Sequence, residues 1–397
     1  MKLLFVTAGS RGDVEPFVVL ARAAAAAGHE VLVAAPDRSG VDVTGVATAS
    51  LGVDYTAMIQ DQGVSIRAAV ANYRTVVKPA MRNVLVGAAR AALDFEPDVV
   101  LSHPKILSAP LIARALDVPH VLVELVPAVT PTRAFAAAGT VTADLGPFNK
   151  LTYLAAFGAS SMFGPALDEA SRLLGVRRGR RMPPPAATLL PISSVLLQRP
   201  EDWPASVHLT APWIDSGAAA ELDPRVAAFI AGGPYVYAGF GSMAMGDPFA
   251  RGRALVEASR HRGLRLLVAT GLGGIAVAPD LRGDDVLTVR SAPHSLVLPG
   301  AVAAVHHGGI GTVQAVTRAG TVSVIVPFIA DQPFWGAMLH RRGLAPAAIS
   351  QRSATAERFG TALDAVEQYR SPVAGAAERM ATENGTAEAL AIITALR

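Results

Sequence analysis

The sequence is short of several residue types, and each shortage narrows the possible functions. It contains no cysteine, which excludes disulfides, thiolate metal sites and cysteine catalysis. Only 17% of the residues are charged, and 35 basic against 32 acidic residues leave a net charge of +3. A slightly basic chain without a basic patch suits an anionic small molecule better than a nucleic acid.

Long apolar runs are also missing. No uninterrupted apolar stretch approaches the roughly 20 residues that a membrane helix needs. The apolar run near the start, residues 3–8, is too short for a signal peptide and is followed at once by polar residues. We therefore expect no transmembrane segment and a cytoplasmic location.

The length predicts more than one domain, because 397 residues exceed what a single core usually serves. Residues 211–224 are dominated by alanine, glycine, serine and proline, which is typical of a connection between domains. We expect a first domain over residues 1–212 and a second over residues 213–376. A C-terminal helix over residues 377–397 is expected to pack back on the first domain.

The first domain opens with a pattern typical of nucleotide-binding folds. A buried strand at residues 2–7 leads through a polar turn to a helix that starts at Val14, and a strand follows at residues 30–35. Gly9 and Gly12 do not have the GxGxxG spacing of dinucleotide-binding turns, which argues against a dehydrogenase. Further strands are predicted at residues 97–102, 120–126 and 195–198.

The second domain contains the most informative stretch, a predicted strand–turn–helix–strand unit over residues 301–344. A buried strand at 301–305 runs into His306 and His307, and glycines stand at positions 308, 309 and 311. A helix that begins at Gly311 or Thr312 would aim free N–H groups at a bound anion, and the side chains of His307 and Thr312 can add hydrogen bonds. The turn predicts a phosphate site; the alternative is a glycine turn of purely structural use.

Four segments carry a resemblance to a known family. They are GSRGDVEP at residues 9–16, YAGFGS at 237–242, APHSLVLPGAVAAVHHGGIGT at 292–312 and VPFIADQPFWG at 326–336. In this order they resemble the inverting GT-B glycosyltransferases that use nucleotide sugars, near the enzymes that glycosylate vancomycin-type antibiotics. The resemblance covers nearly the whole chain and implies an α/β fold of two Rossmann-like domains that face each other across a cleft.

The resemblance also implies donor-binding residues. The diphosphate would be bound by His307, by the Ser242 hydroxyl and by the backbone of the glycine turn, with Arg11 approaching across the cleft. Asp331 and Gln332 would hold the sugar hydroxyls, and the backbone near Ala292 would meet the nucleobase. The expected donor-binding set is therefore Arg11, Ser242, Ala292, His307, Gly308, Gly309, Gly311, Thr312, Asp331 and Gln332.

Asp13 corresponds to the proposed general base of the family. A helix that starts at Val14 would make the same residue an N-cap, since aspartate is among the preferred caps. Both roles stay open at this point, because they compete for the same carboxylate oxygens.

The resemblance implies a transfer from a nucleoside diphosphate sugar to a hydroxyl of a hydrophobic natural product. Plant relatives have tryptophan and glutamate where this chain has Ser291 and Ala315, so a dTDP-deoxysugar is as plausible a donor as UDP-glucose. No Asp-x-Asp pair is present to hold a metal on the diphosphate, and we expect neither a metal nor a bound cofactor. The alternatives are a sterol or lipid acceptor, or an auxiliary protein that binds nucleotide sugars without turnover.

Two further features are left open. Five aromatic residues between positions 127 and 165 fit either ordinary core packing or an apolar pocket for the second substrate: Phe135, Phe148, Tyr153, Phe157 and Phe163. Glu124 stands among apolar neighbours in a predicted strand and needs a partner, either a buried hydrogen bond or the acceptor.

Overall fold

The structure is a computed structural model that describes residues 1–396, except for residues 55–71, 155–157, 159–160, 180–182, 216–220, 242 and 244. Each of the two predicted domains has its own parallel β-sheet. None of the described helices is both long and apolar enough to cross a membrane.

The first sheet has seven parallel strands in the order β3-β2-β1-β4-β5-β6-β7. The strands are β1 (Lys2–Val6), β2 (Glu30–Ala35), β3 (Ala47–Ser50), β4 (Val99–Ser102), β5 (His120–Val123), β6 (Ala187–Leu190) and β7 (Val207–Leu209). The described α-helices are α1 (Arg11–Ala26), α2 (Lys78–Phe95), α3 (Ala109–Leu116) and α4 (Gly164–Leu173), with a π-helical turn at Tyr73–Val77 and a 3-10 helix at Gly146–Tyr153. The strand order reverses between β1 and β4, where open α/β sheets bind their ligands.

The second sheet has five parallel strands in the order β10-β9-β8-β11-β12. These are β8 (Tyr235–Gly239), β9 (Arg265–Ala269), β10 (Val286–Val289), β11 (Ala303–His306) and β12 (Val322–Ile325). Its helices are α5 (Pro224–Ala231), α6 (Pro248–Arg260), α7 (His294–Val297), α8 (Ile310–Arg318), α9 (Gln332–Arg341), α10 (Ala356–Asp364) and α11 (Val366–Ala381). The strand order reverses between β8 and β11, so the glycine turn after β11 lies at the ligand-binding edge of this sheet.

The chain crosses between the domains twice, and the two crossings touch. The last helix, α12 (Gly385–Thr394), returns to the first domain, where Ala389 and Ile393 join the core beside α1. A Cβ on Gly385 would lie only 2.3 to 2.6 Å from the carbonyl oxygens of residues 210–212, the first crossing. The expected division at 376/377 falls inside α11, which packs on α8 of the second domain.

Two sequence predictions need correction. The first helix begins at Arg11 rather than Val14, because Ser10 and not Asp13 is its N-cap. Residues 195–198 form a turn, not a strand: the N–H groups of Leu196 and Leu197 both donate to the carbonyl of Ser193. A short apolar run does not distinguish a buried strand from a buried turn, which is why this prediction was wrong.

Candidate active site

The glycine turn after β11 leaves the N-terminus of α8 open. Gly309 is the N-cap, and none of the described side chains caps the helix. A Cβ on Gly309 would lie 2.5 Å from Nε2 of His307, whereas a Cβ on Gly311 would meet no atom within 4 Å. The first turn of α8 therefore presents uncapped N–H groups and the positive end of the helix dipole on an open side, which suits an anion.

His306 organises this turn from below, a role that the sequence did not predict. Its ring is completely buried, and its Nδ1 accepts the N–H of Gly308 at 3.1 Å. The proton must then sit on Nε2, which donates to the Ser323 hydroxyl at 3.0 Å. Burial holds the pKa of His306 well below its usual range, so the ring is neutral. Since the N–H of Gly308 is already bonded, Gly308 contributes its left-handed conformation (φ 90°) rather than a free donor.

His307 points its ring at the helix N-terminus. Its Nδ1 is buried and has no hydrogen-bond partner among the described residues. Burial lowers the pKa of His307 to about 4, with a smaller contribution from the charge of His294. The ring is therefore neutral at pH 7 and can give one N–H to an anionic oxygen. Ser242, the expected hydroxyl partner of the same anion, lies outside the described residues.

Asp331 and Gln332 follow β12 through Ala330, which adopts the left-handed conformation at φ 56°. Oδ2 of Asp331 accepts the indole N–H of Trp335 at 2.9 Å, and burial raises the pKa of this carboxyl to about 6. The side-chain oxygen of Gln332 accepts the N–H groups of Phe328 at 2.7 Å and Ile329 at 3.1 Å. Gln332 thus shapes the loop with its oxygen, and its amide nitrogen donates one hydrogen to the sulfur of Met243 at 3.4 Å, which leaves the second amide hydrogen for another partner.

Asp13 is the third residue of α1 and forms a capping box with Ser10. Its Oδ2 accepts the backbone N–H of Ser10 at 2.8 Å and the Ser10 hydroxyl at 3.2 Å. Its Oδ1 faces two other groups, Lys105 Nζ at 2.9 Å and His103 Nε2 at 3.4 Å. Burial raises the pKa of Asp13, but the charge of Lys105, the electrostatic effect of the His103 ring and the hydrogen bonds from Lys105 and Ser10 outweigh it, so the net pKa is lowered. The interpretation of Asp13 as the N-cap was wrong, because the N-cap is Ser10, three residues earlier.

His103 and Lys105 are functional candidates that sequence reasoning missed. His103 accepts the backbone N–H of Lys105 on Nδ1 at 3.1 Å, so its proton sits on Nε2 and faces Asp13. Burial lowers the pKa of His103 to about 3, which makes the ring neutral. The available signal was the polar sequence SHPK at residues 102–105, which begins on the last residue of β4, beside the point where the strand order reverses.

The polar residues around Asp13 in the first domain face Asp331 in the second domain. The charge of Asp13 raises the pKa of Asp331, and the charge of Lys105 lowers it, so all three groups lie within electrostatic range. On another part of the cleft, burial and the charge of Arg11 lower the pKa of His294, and the charge of Glu15 opposes them. Nε2 of His294 lies 3.1 Å from the hydroxyl of Tyr237. Arg11 itself is exposed and bonded to Glu15 at 2.8 Å. Ala292 precedes α7 and is partly buried beside the second core.

Among the described residues, no three histidine, aspartate or glutamate side chains come together as a metal site. Glu124 is completely buried and accepts the backbone N–H groups of residues 128–130 and the Thr130 hydroxyl. The expected buried hydrogen bonds are therefore confirmed, and Glu124 holds the loop after β5. Of the five aromatics, Phe135, Tyr153 and Phe163 are buried, Phe148 is 67% exposed, and Phe157 lies outside the described residues.

Comparison with known proteins decides the family. No family model matches the chain. It is 32% identical to O-mycaminosyltylonolide 6-deoxyallosyltransferase of Streptomyces fradiae over 430 aligned positions, which cover 99% of this chain and 97% of that protein. The chain belongs to the GT-B glycosyltransferases that act on natural products.

Two more proteins show the breadth of the likeness. This glycosyltransferase is 26% identical to a sterol 3-beta-glucosyltransferase of Arabidopsis thaliana, covering 98% of its own length and 64% of that protein. The solved structure of the glycosyltransferase VinC in complex with dTDP matches with a TM-score of 0.67 at 18% identity, over 100% of this chain and 99% of that one. The expected fold of two Rossmann-like domains is confirmed.

Proposed function

We propose that this glycosyltransferase moves a sugar from a nucleoside diphosphate sugar, of the dTDP-deoxysugar or UDP-glucose type, to a hydroxyl of a hydrophobic natural product. One observation carries the proposal: the N-terminus of α8 and Nδ1 of His307, neither of which has a side-chain partner among the described residues, lie in the same cleft as the carboxylate of Asp13. The first group suits a departing diphosphate, and the second suits an attacking hydroxyl.

The diphosphate would lie at the first turn of α8. The backbone N–H groups of Gly309, Gly311 and Thr312 and the neutral ring of His307 would stabilise the charge that develops on the leaving oxygen. These fixed donors would do the work of a metal ion, so the proposed reaction uses neither a metal nor a bound cofactor. Arg11 would add a positive charge after exchanging Glu15 for the diphosphate, and Ser242 a hydroxyl.

Asp331 and Gln332 would bind the hydroxyls of the sugar, the first as acceptor and the second through the amide hydrogen that does not face Met243. This pair follows β12, and the diphosphate turn follows β11; the strands are neighbours in the sheet. The neighbouring strand ends support a sugar position beside its own leaving group. The backbone at Ala292 would meet the nucleobase.

Asp13 would take the proton of the acceptor hydroxyl. The acceptor oxygen forms a bond to the anomeric carbon as the bond from that carbon to the diphosphate breaks; the electron pair leaves with the diphosphate and the proton goes to Asp13. The pKa of a carboxylic acid is far below that of an alcohol, so Asp13 would take the proton only in the transition state. General base catalysis of this kind raises the rate about 10²–10⁴-fold. A single displacement from the opposite face inverts the anomeric configuration.

An exposed apolar stripe supports a hydrophobic acceptor. Phe148 and Leu151 lie on the 3-10 helix Gly146–Tyr153, and Leu145 and Leu154 are its cap residues. The four follow each other at three-residue spacing and therefore share one face. They are 41%, 67%, 59% and 60% exposed. The segment before this stripe touches the donor loop, since a Cβ on Gly139 would lie 3.7 Å from the carbonyl carbon of Ala330.

Nucleotide binding and product formation test the proposal. Thermal-shift screening with dTDP, UDP, ADP and GDP should show stabilisation by dTDP or UDP, and mass spectrometry with a panel of aglycones should show a hexose or deoxyhexose mass added. His307→Ala should weaken nucleotide binding in calorimetry, whereas His340→Ala, a change at an exposed histidine, should not. Equal nucleotide affinity in the two variants would remove His307 from the phosphate site.

A sterol is the second candidate acceptor, favoured by the likeness to the Arabidopsis glucosyltransferase. The same mass-spectrometric panel decides between the two when it includes a 3-hydroxysterol beside macrolide and aromatic aglycones.

A further inference from the structure

Asp13 has two carboxylate oxygens, and they are not equally available. Oδ2 is fixed by two bonds from Ser10 within the capping box at the start of α1. These bonds hold the start of the helix. The backbone of Gly9 lies against the same oxygen, since a Cβ on Gly9 would be only 2.0 Å from it, and this leaves no room for a substrate on that side. An acceptor hydroxyl must therefore reach Oδ1.

Oδ1 is occupied by two neighbours that differ in mobility. His103 Nε2 lies 3.4 Å away on a side chain only 10% exposed, and its tautomer is fixed by the backbone of Lys105. Lys105 Nζ lies 2.9 Å away on a flexible side chain that is 43% exposed. Of the two, Lys105 is the neighbour that can move without unfolding the loop.

We propose that Lys105 is a displaceable counter-ion of Asp13: its ammonium holds Oδ1 until the acceptor hydroxyl takes its place. The inference deepens the proposed function and rests on Asp13 as the base. Lys105 does not touch the reacting atoms in this scheme. It sets the charge state and the orientation of the base.

The charges around Asp13 fit an exchange of this kind. Ser10, Arg11 and Glu15 lie on or beside α1, His103 and Lys105 come from the loop after β4, and Asp331 faces them from the second domain. Lys105 lowers the pKa of both Asp13 and Asp331, so its charge acts on a second carboxylate besides the one it contacts. Displacement also removes the charge that makes Asp13 a weak base, at the moment when the base is needed.

A double-mutant cycle tests the ion pair without any substrate. Lys105→Met keeps the length of the side chain and removes its charge. We expect it to change the melting temperature in the wild-type background and to have little further effect in the Asp13→Asn background. Equal changes in both backgrounds would show that Lys105 is not a counter-ion of Asp13 and would overturn the proposal.

The dependence of kcat/KM on pH tests displacement, with the donor and acceptor found in the screen. In Lys105→Met the acidic limb of the kcat/KM profile should move to higher pH, and the acceptor KM should fall. The plateau value of kcat should rise about twofold to fivefold, because a more basic carboxylate is a better proton acceptor. Lys105→Arg should keep the wild-type limb, and nucleotide affinity should be unchanged in both variants.

Other outcomes distinguish a failure of the counter-ion role from a failure of the proposed function. A loss of kcat in Lys105→Met that Lys105→Arg restores would mean that the cation acts directly in the transfer, and an unmoved acidic limb would mean that it does not tune the base. Either result overturns the counter-ion role while leaving the proposed function intact. Full activity of Asp13→Asn would instead remove the base itself, and with it this inference.

Discussion

Gln314 and Ser193 join α8 of the second domain to the first domain. The side-chain oxygen of Gln314 on α8 accepts the backbone N–H of Ser193 at 2.9 Å, and its amide donates to the carbonyl of Pro191 at 3.1 Å. Both polar atoms of the Gln314 amide thus bond α8, the helix proposed to bind the diphosphate, to the domain that carries Asp13.

Gln314→Leu should destabilise the protein and slow the reaction more than it weakens nucleotide binding. The substitution leaves a buried N–H and a buried carbonyl without partners, which costs about 1–3 kcal/mol for each unsatisfied group. Denaturant unfolding and calorimetry with dTDP and UDP measure the two effects. Gln368→Leu, at an exposed glutamine on α11, is the control and should change neither. Wild-type stability of Gln314→Leu would contradict the interdomain role.

Gly311→Ala should separate binding from stability. The Cβ would meet no protein atom, and alanine favours the helix by about 0.5–1 kcal/mol, so the melting temperature should rise. The same methyl group would point to where the diphosphate is proposed to lie, and nucleotide affinity should fall about tenfold. Gly309→Ala is the companion variant, in which the Cβ instead displaces the ring of His307. Unchanged affinity in Gly311→Ala would place the phosphates elsewhere.

Asp331→Asn should stabilise the protein at neutral pH, and the gain should depend on pH. Burial raises the pKa of Asp331 to about 6, so the folded state resists ionisation and the wild type loses stability as the pH rises from about 4 to about 6. Asparagine stays neutral and still accepts from Trp335. The difference in unfolding free energy should be absent below pH 4 and constant above pH 7, as measured by urea unfolding, while kcat/KM falls because a sugar contact is lost.

Asp13→Asn should behave in the opposite way. The pKa of Asp13 is lowered in the folded state, so its charge contributes stability that is present at neutral pH and is lost as the pH falls through the folded pKa. The variant should be less stable than the wild type at pH 7 and equal to it in strong acid. It should bind nucleotide almost normally and lose most transfer activity. A gain in stability at pH 7 would refute the ion pair.

Phe148→Ser should raise the KM of a hydrophobic acceptor without affecting nucleotide affinity or the fold. The side chain is 67% exposed on the apolar stripe and contributes little to the core. Phe249→Ser, at a phenylalanine 55% exposed on α6, removes a similar apolar surface outside the stripe and serves as the control. Equal effects of the two substitutions on the acceptor KM would argue against the stripe as an acceptor surface.

The sequence was sufficient for elements whose signal is local. The strand, glycine turn and helix around His307 could be predicted because apolar runs and glycines mark them within a dozen residues. The start of α1 was misplaced although Ser10 and Asp13 have the spacing of a capping box, a local signal that was available and was not used. The turn at residues 195–198 failed for another reason, since its apolar residues are buried in either conformation.

Partnerships across the chain were beyond prediction from one sequence. Lys105 is 92 residues from Asp13, and Gln314 is 121 residues from Ser193. Nothing in the local pattern of either residue indicates its partner, because the contact depends on how the sheet orders its strands and how the domains meet. His306 looked like one half of a histidine pair, and only its burial shows that it supports the turn rather than lining it.

The close contact of Gly385 with residues 210–212 has a mechanical consequence for the cleft. The two connections lie side by side, so any change of the angle between the domains must bend both of them at this point. Such bending would change the gap between Asp13 and the first turn of α8. A methyl group at position 385 would push the two connections apart, because its carbon would lie 2.3 to 2.6 Å from three carbonyl oxygens.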